Sequence, residues 1–509
     1  MLALLLAMIT LLMVVVSCNG DGDTNKGPGG HWETVDDRYD ENNRLKDALP
    51  NLNYLGEEIT VMYWNDCENL EFEVKTLTGD NVSDAIFDRN NRINDRLNVE
   101  LIWSPVAGNA NNQGDFVAKV QNYAYSGTHD VDIIAAYSRA QATLAVQGML
   151  IDLATIQDSY INFDMPWWPA QMQKTVSFGN SFYFLTGDIS TNLLHMMDGL
   201  YFNKTMLEED LGKSADELYQ LVYDGKWTID ALIELCTGIG QDIDGIPGKT
   251  KLDRYGFSSR YDMLDCFYIG ANLRYIESSE EDWLQVSDDY SSRRTVALTR
   301  KVGQAAATLD WGLMLDPNDP AYLAAYNDCT TFHKGLGLVI QRQMQLAEQL
   351  LVGSVKWSYG VLPTPKYNEK QLNYYTSVSN PHTLYGLFVD LDDRGDMEET
   401  LQMMSAVLEC WASEAYRLTT PEVFEVNMQL KYSEGQDETN MFEYIRMGIT
   451  MDLGRIFSNE LNKMASRIGL CMSKKASWSS FYGSYRVSLE SKLNDMVETF
   501  KYYQENRDH

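Results

Sequence analysis

Many side chains in this chain are able to do chemistry, and the question is whether any stand at a spacing that commits them to it. Nucleophilic catalysis needs a Ser or Cys held beside a base. Neither GxSxG, SxxK nor a papain-like Cys signature occurs. The six histidines are scattered, none in HExxH spacing, and there is no P-loop and no dinucleotide GxGxxG. A calcium loop needs oxygen ligands at alternating positions and a closing bidentate carboxylate. "QDIDGIPGKTKLD" (241–253) begins that way with Asp242, Asp244 and Gly245, but Pro247 and Lys249 intrude and no Glu closes it. It reads as a surface turn, so no metal and no cofactor is expected. Asp and Glu together number 73, too many for a glycosidase-like carboxylate pair to stand out.

The elements that would position a site are clearer. "EITVMYW" (58–64), "VELIW" (99–103) and "VDIIAAY" (131–137) are short β-rich runs. Between them lie "NVSDAIFDRNNRINDRLN" (81–98), with Ser83 as N-cap and Ile86, Ile93 and Leu97 near helical spacing, and "DFVAKVQNYAYSG" (115–127). Alternating strand and helix with short links predicts a parallel sheet with right-handed crossovers. Ligands of such sheets sit beyond the carboxyl ends of the strands. That rule places Trp64-Asn65-Asp66, Trp103-Ser104-Pro105 and Tyr137-Ser138-Arg139 on one rim. Further on, Ser214 and Glu217 form a capping box, and Thr228 caps a helix with the apolar stripe Ile229, Leu232, Ile233 and Cys236. "LGLVI" (336–340) and "GLFVDL" (386–391) read as strands. "YGVLPTPKYNEKQ" (359–371) reads as a Pro-punctuated link or crossing, and from Glu398 the chain is mostly amphipathic helix.

Composition narrows the class. With 44% apolar and 11% aromatic residues, the 509-residue chain has enough hydrophobic material for two or three cores. A net charge of −32 argues against nucleic acid as a partner. The apolar run from Met1 to Val16 is shorter than a spanning helix needs and ends at Ser17-Cys18. Val15-Val16-Ser17-Cys18 resembles a bacterial lipobox, which implies a signal peptide over 1–17 and diacylation of Cys18. The Gly-, Asp- and Asn-rich stretch 18–50 then reads as a flexible tether. The six other cysteines are scattered without CxxC or a His/Cys cluster. They read as isolated apolar-site thiols, some of which an exported chain could pair.

The stretch "NSFYFLTGDISTNLLHMMDGLYFNKTML" (180–207) resembles family 1 of the extracellular solute-binding proteins of ABC importers, through Tyr183, Gly187, Asp188, Tyr201, Phe202, Asn203 and Lys204. "DGKWTIDALIEL" (224–235), "DRYGF" (253–257), "YGVLPTPKYNEKQLNYYTSVS" (359–379) and "ASEAYRLTTPEVFEV" (412–426) are similar to further segments of that family, in the same order. The resemblance implies a type II periplasmic-binding-protein fold: two α/β lobes, a cleft between them, and chain crossings as the hinge. Lobe 1 is expected over 51–187 and 378–435, and lobe 2 over 188–377 and 436–509. The resemblance also implies a carbohydrate-like solute, an ABC permease as partner, no catalysis, and a monomer anchored on the extracytoplasmic face of the cell membrane. Trp64, Asp66, Tyr137 and Arg139 on the rim, Asp188 on the crossing, and Gln341 and Arg342 after "LGLVI" are the expected solute contacts. Asn380 and His382 follow the return crossing as further candidates, and Asn203 is expected to cap a helix. The alternatives are a surface glycan-active hydrolase and a glycan-adhesion lipoprotein.

Overall fold

The computed structural model describes residues 38–128, 130–170, 172–279, 283–312, 329–351, 353–393, 396–431 and 433–506. Cys18, the apolar run before it and the tether up to residue 37 lie outside them. Contacts divide the chain after Arg44. Before that point residues 38–44 form a turn, in which the Asp40 carboxylate accepts from the backbone N–H of Asn42 at 2.9 Å and of Arg44 at 2.8 Å. The architecture below is that of the second unit, Leu45–His509.

Its first sheet is built from β1 (Glu57–Trp64), β2 (Val99–Val106) and β3 (Ile133–Tyr137), mutually parallel, with β1 in the middle. The second contains β4 (Asp198–Asn203), β5 (Tyr255–Ser258), β6 (Trp311–Gly312), β7 (Gly337–Gln343) and β8 (Tyr359–Leu362), in the order β8-β4-β7-β5-β6. There β5, β6 and β7 are parallel, while β4 runs antiparallel to β7 and β8. The late strand β9 (Thr383–Leu387) returns to the first sheet, antiparallel to β3. Each sheet thus contains a parallel trio flanked by an antiparallel strand that reaches it by a crossing from the other half, and the second sheet adds β8 beyond that strand.

The crossings lie side by side. Residues 186–197 lead into β4 and 376–382 lead into β9. An antiparallel bridge joins Met197 to Val378, and the Ser379 N–H donates to the Met196 carbonyl at 2.8 Å. The buried Glu71 carboxylate, just beyond β1, ties the first crossing to the first sheet. It accepts from the Asn192 N–H at 2.9 Å, from Asn192 Nδ2 at 2.6 Å and from the Tyr385 hydroxyl at 2.6 Å. The segment 359–371 is not a crossing: its first part is β8, and Lys366 pairs with the Thr228 region. The hydrogen-bonding edge of β4 was available to it, and pattern reading does not see such edges. "GLFVDL" likewise divides into the end of β9 and a 3-10 turn, Val389–Asp393.

Helices cover both sheets. α1 (Asn81–Leu97) is capped by Asp80, whose carboxylate accepts from the Ser83 N–H at 2.9 Å, so the cap precedes Ser83 by three residues. A carboxylate at that position is a stronger acceptor than a hydroxyl. α2 (Gln113–Ser126) and α3 (Ser138–Val146) follow β2 and β3. The capping box of Ser214 and Glu217, the Thr228 cap and the Asn203 cap all form as expected. α4 (Met397–Arg417) packs on α1, and α5 (Gln436–Met447) packs on β8. α6 (Met464–Ser473) packs against residues 261–263. α7 (Arg486–Glu505) touches both α3 and the short strand Leu284–Val286, with the Phe500 ring tilted against Phe178 at 4.1 Å between centroids. None of the six cysteines among the described residues is in a disulfide, and five are buried.

Candidate functional site

In parallel sheets the strand ends leave unpaired backbone and open loops, so side chains from several strands can converge there. A cavity of about 370 Å³ sits at that place for both sheets at once. Glu68 comes from beyond β1, Tyr137 and Arg139 from the end of β3, and Arg260 to Met263 from beyond β5. Arg342, Gln343 and Gln345 come from the end of β7, and Met196 and Ser379 to Pro381 from the crossings. Arg455, Lys463 and Ser466 complete the wall from the C-terminal part. A larger cavity of about 750 Å³, walled by Tyr223, Tyr374, Tyr375 and Tyr444 among others, receives none of these strand ends.

The two halves meet around the smaller cavity through direct bonds. Gln345 Nε2 donates to Glu68 Oε2 at 2.5 Å, and Asn69 Nδ2 donates to Gln345 Oε1 at 2.9 Å. Thr143 Oγ1 on α3 donates to Glu460 Oε1 at 2.6 Å, and Asn459 Nδ2 donates to Gln113 Oε1 at 3.0 Å. Residues after β1 and on α2 and α3 thus hold residues after β7 and before α6.

Under the cavity lies a buried charge cluster. Arg455 Nη1 donates to Asp265 Oδ2 at 2.5 Å, and its Nη2 stands 3.7 Å from Asp198 Oδ2. Asp198 also accepts from Ser377 Oγ at 2.5 Å and Ser379 Oγ at 2.9 Å, which joins the start of β4 to the return crossing. Burial pushes the Asp198 carboxyl up to about 6 even against Arg455. Burial alone would lower the Arg455 pKa, but Asp265 and Asp198 outweigh it and raise it. His382 is pushed down to about 4 by burial, and its Nδ1 stands 2.9 Å from the Ser379 carbonyl.

The sequence-derived contacts divide. Arg139, Tyr137, Arg342 and Asn380 line the cavity. Asn380 turns its amide oxygen to Arg139, accepting from Nε at 2.9 Å and Nη2 at 2.7 Å. Tyr137 is largely buried behind the wall, its ring 5.6 Å from Trp64, and burial raises its pKa. Trp64 itself is inside the core, 1% exposed, with Nε1 donating to Thr383 Oγ1 at 2.9 Å. Asp66 organises the loop before α2. Its Oδ1 accepts from the N–H of Gly108 at 2.7 Å and Asn109 at 2.8 Å, and its Oδ2 accepts from Asn112 Nδ2 at 2.7 Å. Asp188 is buried away from the cavity, both oxygens 3.1 Å from Arg446 Nη2. Burial raises its pKa, and Arg446 opposes the shift. Gln341 is fully buried, accepting from Ser259 Oγ at 3.0 Å, and His382 lies behind the wall. In the 241–253 loop Asp242, Asp244 and Asp253 converge, each accepting from backbone N–H groups of the loop itself.

Pattern reading missed Glu68, Arg260, Gln343, Gln345, Arg455 and Lys463. Arg260 was within reach, because it follows "DRYGF" as Arg139 follows "VDIIAAY". Nothing in the local sequence marks Arg455 or Lys463.

No protein-family model matches the chain, and no curated protein matches it. Solved structures do. The chain is similar to a cyclo/maltodextrin-binding protein complexed with maltotetraose, at TM-score 0.52 and 13% identity, covering 89% of this chain and 98% of that one. An ABC substrate-binding protein from Listeria monocytogenes in complex with cycloalternan matches at TM-score 0.51 and 12% identity, covering 88% and 99%. The extracellular solute-binding protein from Staphylococcus aureus in complex with maltose matches at TM-score 0.50 and 10% identity, covering 89% and 98%. What is shared at such identities is the fold. The architecture is the two-lobe, type II periplasmic-binding-protein fold, with α/β lobes on either side of a cleft. The 370 Å³ cavity stands where the strand ends of both lobes face each other.

Proposed function

We propose that this chain is a solute-binding receptor that captures a carbohydrate-like molecule between its lobes and delivers it to an ABC permease, catalysing no reaction. One observation carries the reading. A single cavity is walled by the strand ends of both sheets, has the crossings along one side, and is closed by bonds between the halves. A molecule bound there touches both halves and so favours the closed arrangement over an open one. The lobes are taken as 51–187 with 378–435 and as 188–377 with 436–509, and the side-by-side crossings serve as the hinge. The carbohydrate class is supported by the ligands of the structural neighbours, maltotetraose, cycloalternan and maltose. The lipobox-like Cys18 supports anchoring on the extracytoplasmic face of the membrane, with the following residues as a tether. No helix among the described residues is long and apolar enough to cross a membrane.

A thermal-shift screen against mono- and oligosaccharides tests the reading, because a ligand that binds only the folded state raises Tm with its concentration. A saccharide hit without release of reducing sugar is the expected result. Steady turnover, or hits confined to peptides or polyamines, overturns it.

A further inference from the structure

We infer that the solute of this cleft carries an oxyanion: it is a carbohydrate bearing a carboxylate or a sulfate ester. The inference rests on the solute-binding reading above and narrows it. The whole chain is strongly acidic, at −32, and would by itself repel such a ligand. At physiological salt, however, charges beyond about 8 Å are largely screened, so the cavity wall decides.

The carboxylates on that wall are already engaged. Glu68 accepts from Gln345, Asp262 pairs with Arg260, and Asp265 is held by Arg455. Two cations are not so matched. Arg139 spends Nε and Nη2 on the neutral Asn380 amide, and no carboxylate among the described residues stands at ion-pairing distance from it. Two acids have fields that reach Arg139: Asp265, which Arg455 holds, and Glu460, whose Oε1 accepts from the Thr143 hydroxyl; neither stands at ion-pairing distance from it. Asn380 fixes the guanidinium plane and leaves Nη1 free to donate to a ligand. The planar fork of Arg matches carboxylate and sulfate oxygens. Lys463 is exposed on the same wall, also without a carboxylate at pairing distance among the described residues. It immediately precedes the first turn of the ten-residue α6, whose N-terminus has no side-chain cap and whose Ala465 and Ser466 also line the cavity. That end of the helix dipole adds to the positive field.

Binding of the full chain to three disaccharides, measured by calorimetry at low and physiological salt, tests this. One carries a hexuronate, one carries a sulfate ester, and one is their uncharged counterpart. The expected result is at least tenfold tighter binding of one or both charged sugars, weakening as salt rises. The stronger of the two identifies the oxyanion. Arg139→Gln and, separately, the surface change Lys463→Gln should each cut the charged-over-neutral preference severalfold. Equal binding of the neutral sugar, with a ratio unmoved in both variants, overturns the charge inference and leaves the receptor reading standing. Absence of binding by all three sugars overturns the charge inference, and the receptor reading falls with it only if the saccharide screen is blank as well.

Discussion

Gln345 offers the most direct test of closure. It is buried at the end of the segment after β7, yet its side chain reaches across the cleft to Glu68 and Asn69. Gln345→Ala removes one charge-assisted hydrogen bond, worth about 1.5–3 kcal/mol net, and one neutral bond, worth about 0.5–1.5 kcal/mol. Glu68 is exposed, so water partly compensates it and the low end of both ranges applies. The sum is about 2 kcal/mol, a factor of about 30 in the closed-to-open ratio. In an open form these groups are hydrated with or without Gln345, so the loss falls on the closed form alone. The remaining partner, Gln349, is exposed and finds water. Apparent affinity scales with the population of the competent form, so the Kd for the best ligand of the thermal-shift screen should rise severalfold, up to about thirtyfold. The unliganded variant should show a larger radius of gyration by small-angle scattering, and saturating ligand should restore compactness. An affinity within twofold of the parent, together with an unchanged scattering profile, would refute the reasoning and make the Gln345 bonds a static packing detail.

Other consequences follow from buried charge and close packing. Glu409, 2% exposed, accepts from Trp167 Nε1 at 3.2 Å, Trp168 Nε1 at 3.0 Å and the Asn162 N–H at 3.2 Å, yet burial pushes its carboxyl up to about 7. A raised carboxyl pKa contributes stability that is full below the unfolded value and lost as pH climbs through the folded one. Unfolding free energy should therefore decline between about pH 4.5 and 7 by on the order of 3 kcal/mol from this group. Denaturant melts of Glu409→Gln across that window should show a decline smaller by about that amount. Arg455→Met leaves Asp265 and Asp198 buried without their cation and should lower stability at pH 7 by about 3–5 kcal/mol. The loss should be smaller at pH 5, where Asp198 takes up a proton, and urea titrations at the two pH values check it. A Cβ at Gly187 would stand 2.3 Å from the Trp167 carbonyl oxygen, which already accepts from the Asp188 N–H at 2.9 Å. Gly187→Ala should therefore cost about 1–3 kcal/mol, seen as a lower Tm.

The strands and their order were legible where hydrophobic runs alternate with turn residues. β1, β2, β3 and the helices α1 and α2 stand within a few residues of where the periodicity put them, because each is held mostly by its own local pattern. The strand-end rule then located Arg139 and the neighbourhood of the cavity. It failed for Trp64 and Asp66 for a physical reason. A residue at a strand end can face the cleft, the core or the next loop, and the choice belongs to what packs against it. Thr383 from β9 draws Trp64 inward, and the loop before α2 claims Asp66. Asp188 sits on the expected crossing, but Arg446, 258 residues later, turns it away from the cavity.

By itself, then, the sequence determined the alternating strand–helix units and the helix caps at Asn203, Ser214 and Thr228. These depend on backbone propensity and on partners a few residues away. Only the tertiary structure decided which polar groups face the cavity. It brought Arg455 under the crossings, set Lys463 and Arg139 on the wall of one cavity, and left both without a carboxylate at ion-pairing distance among the described residues. Charge matching inside a cleft depends on distances of a few ångströms between residues hundreds of positions apart. A net charge of −32, read along the chain, therefore says nothing about the sign of the field where a solute would sit.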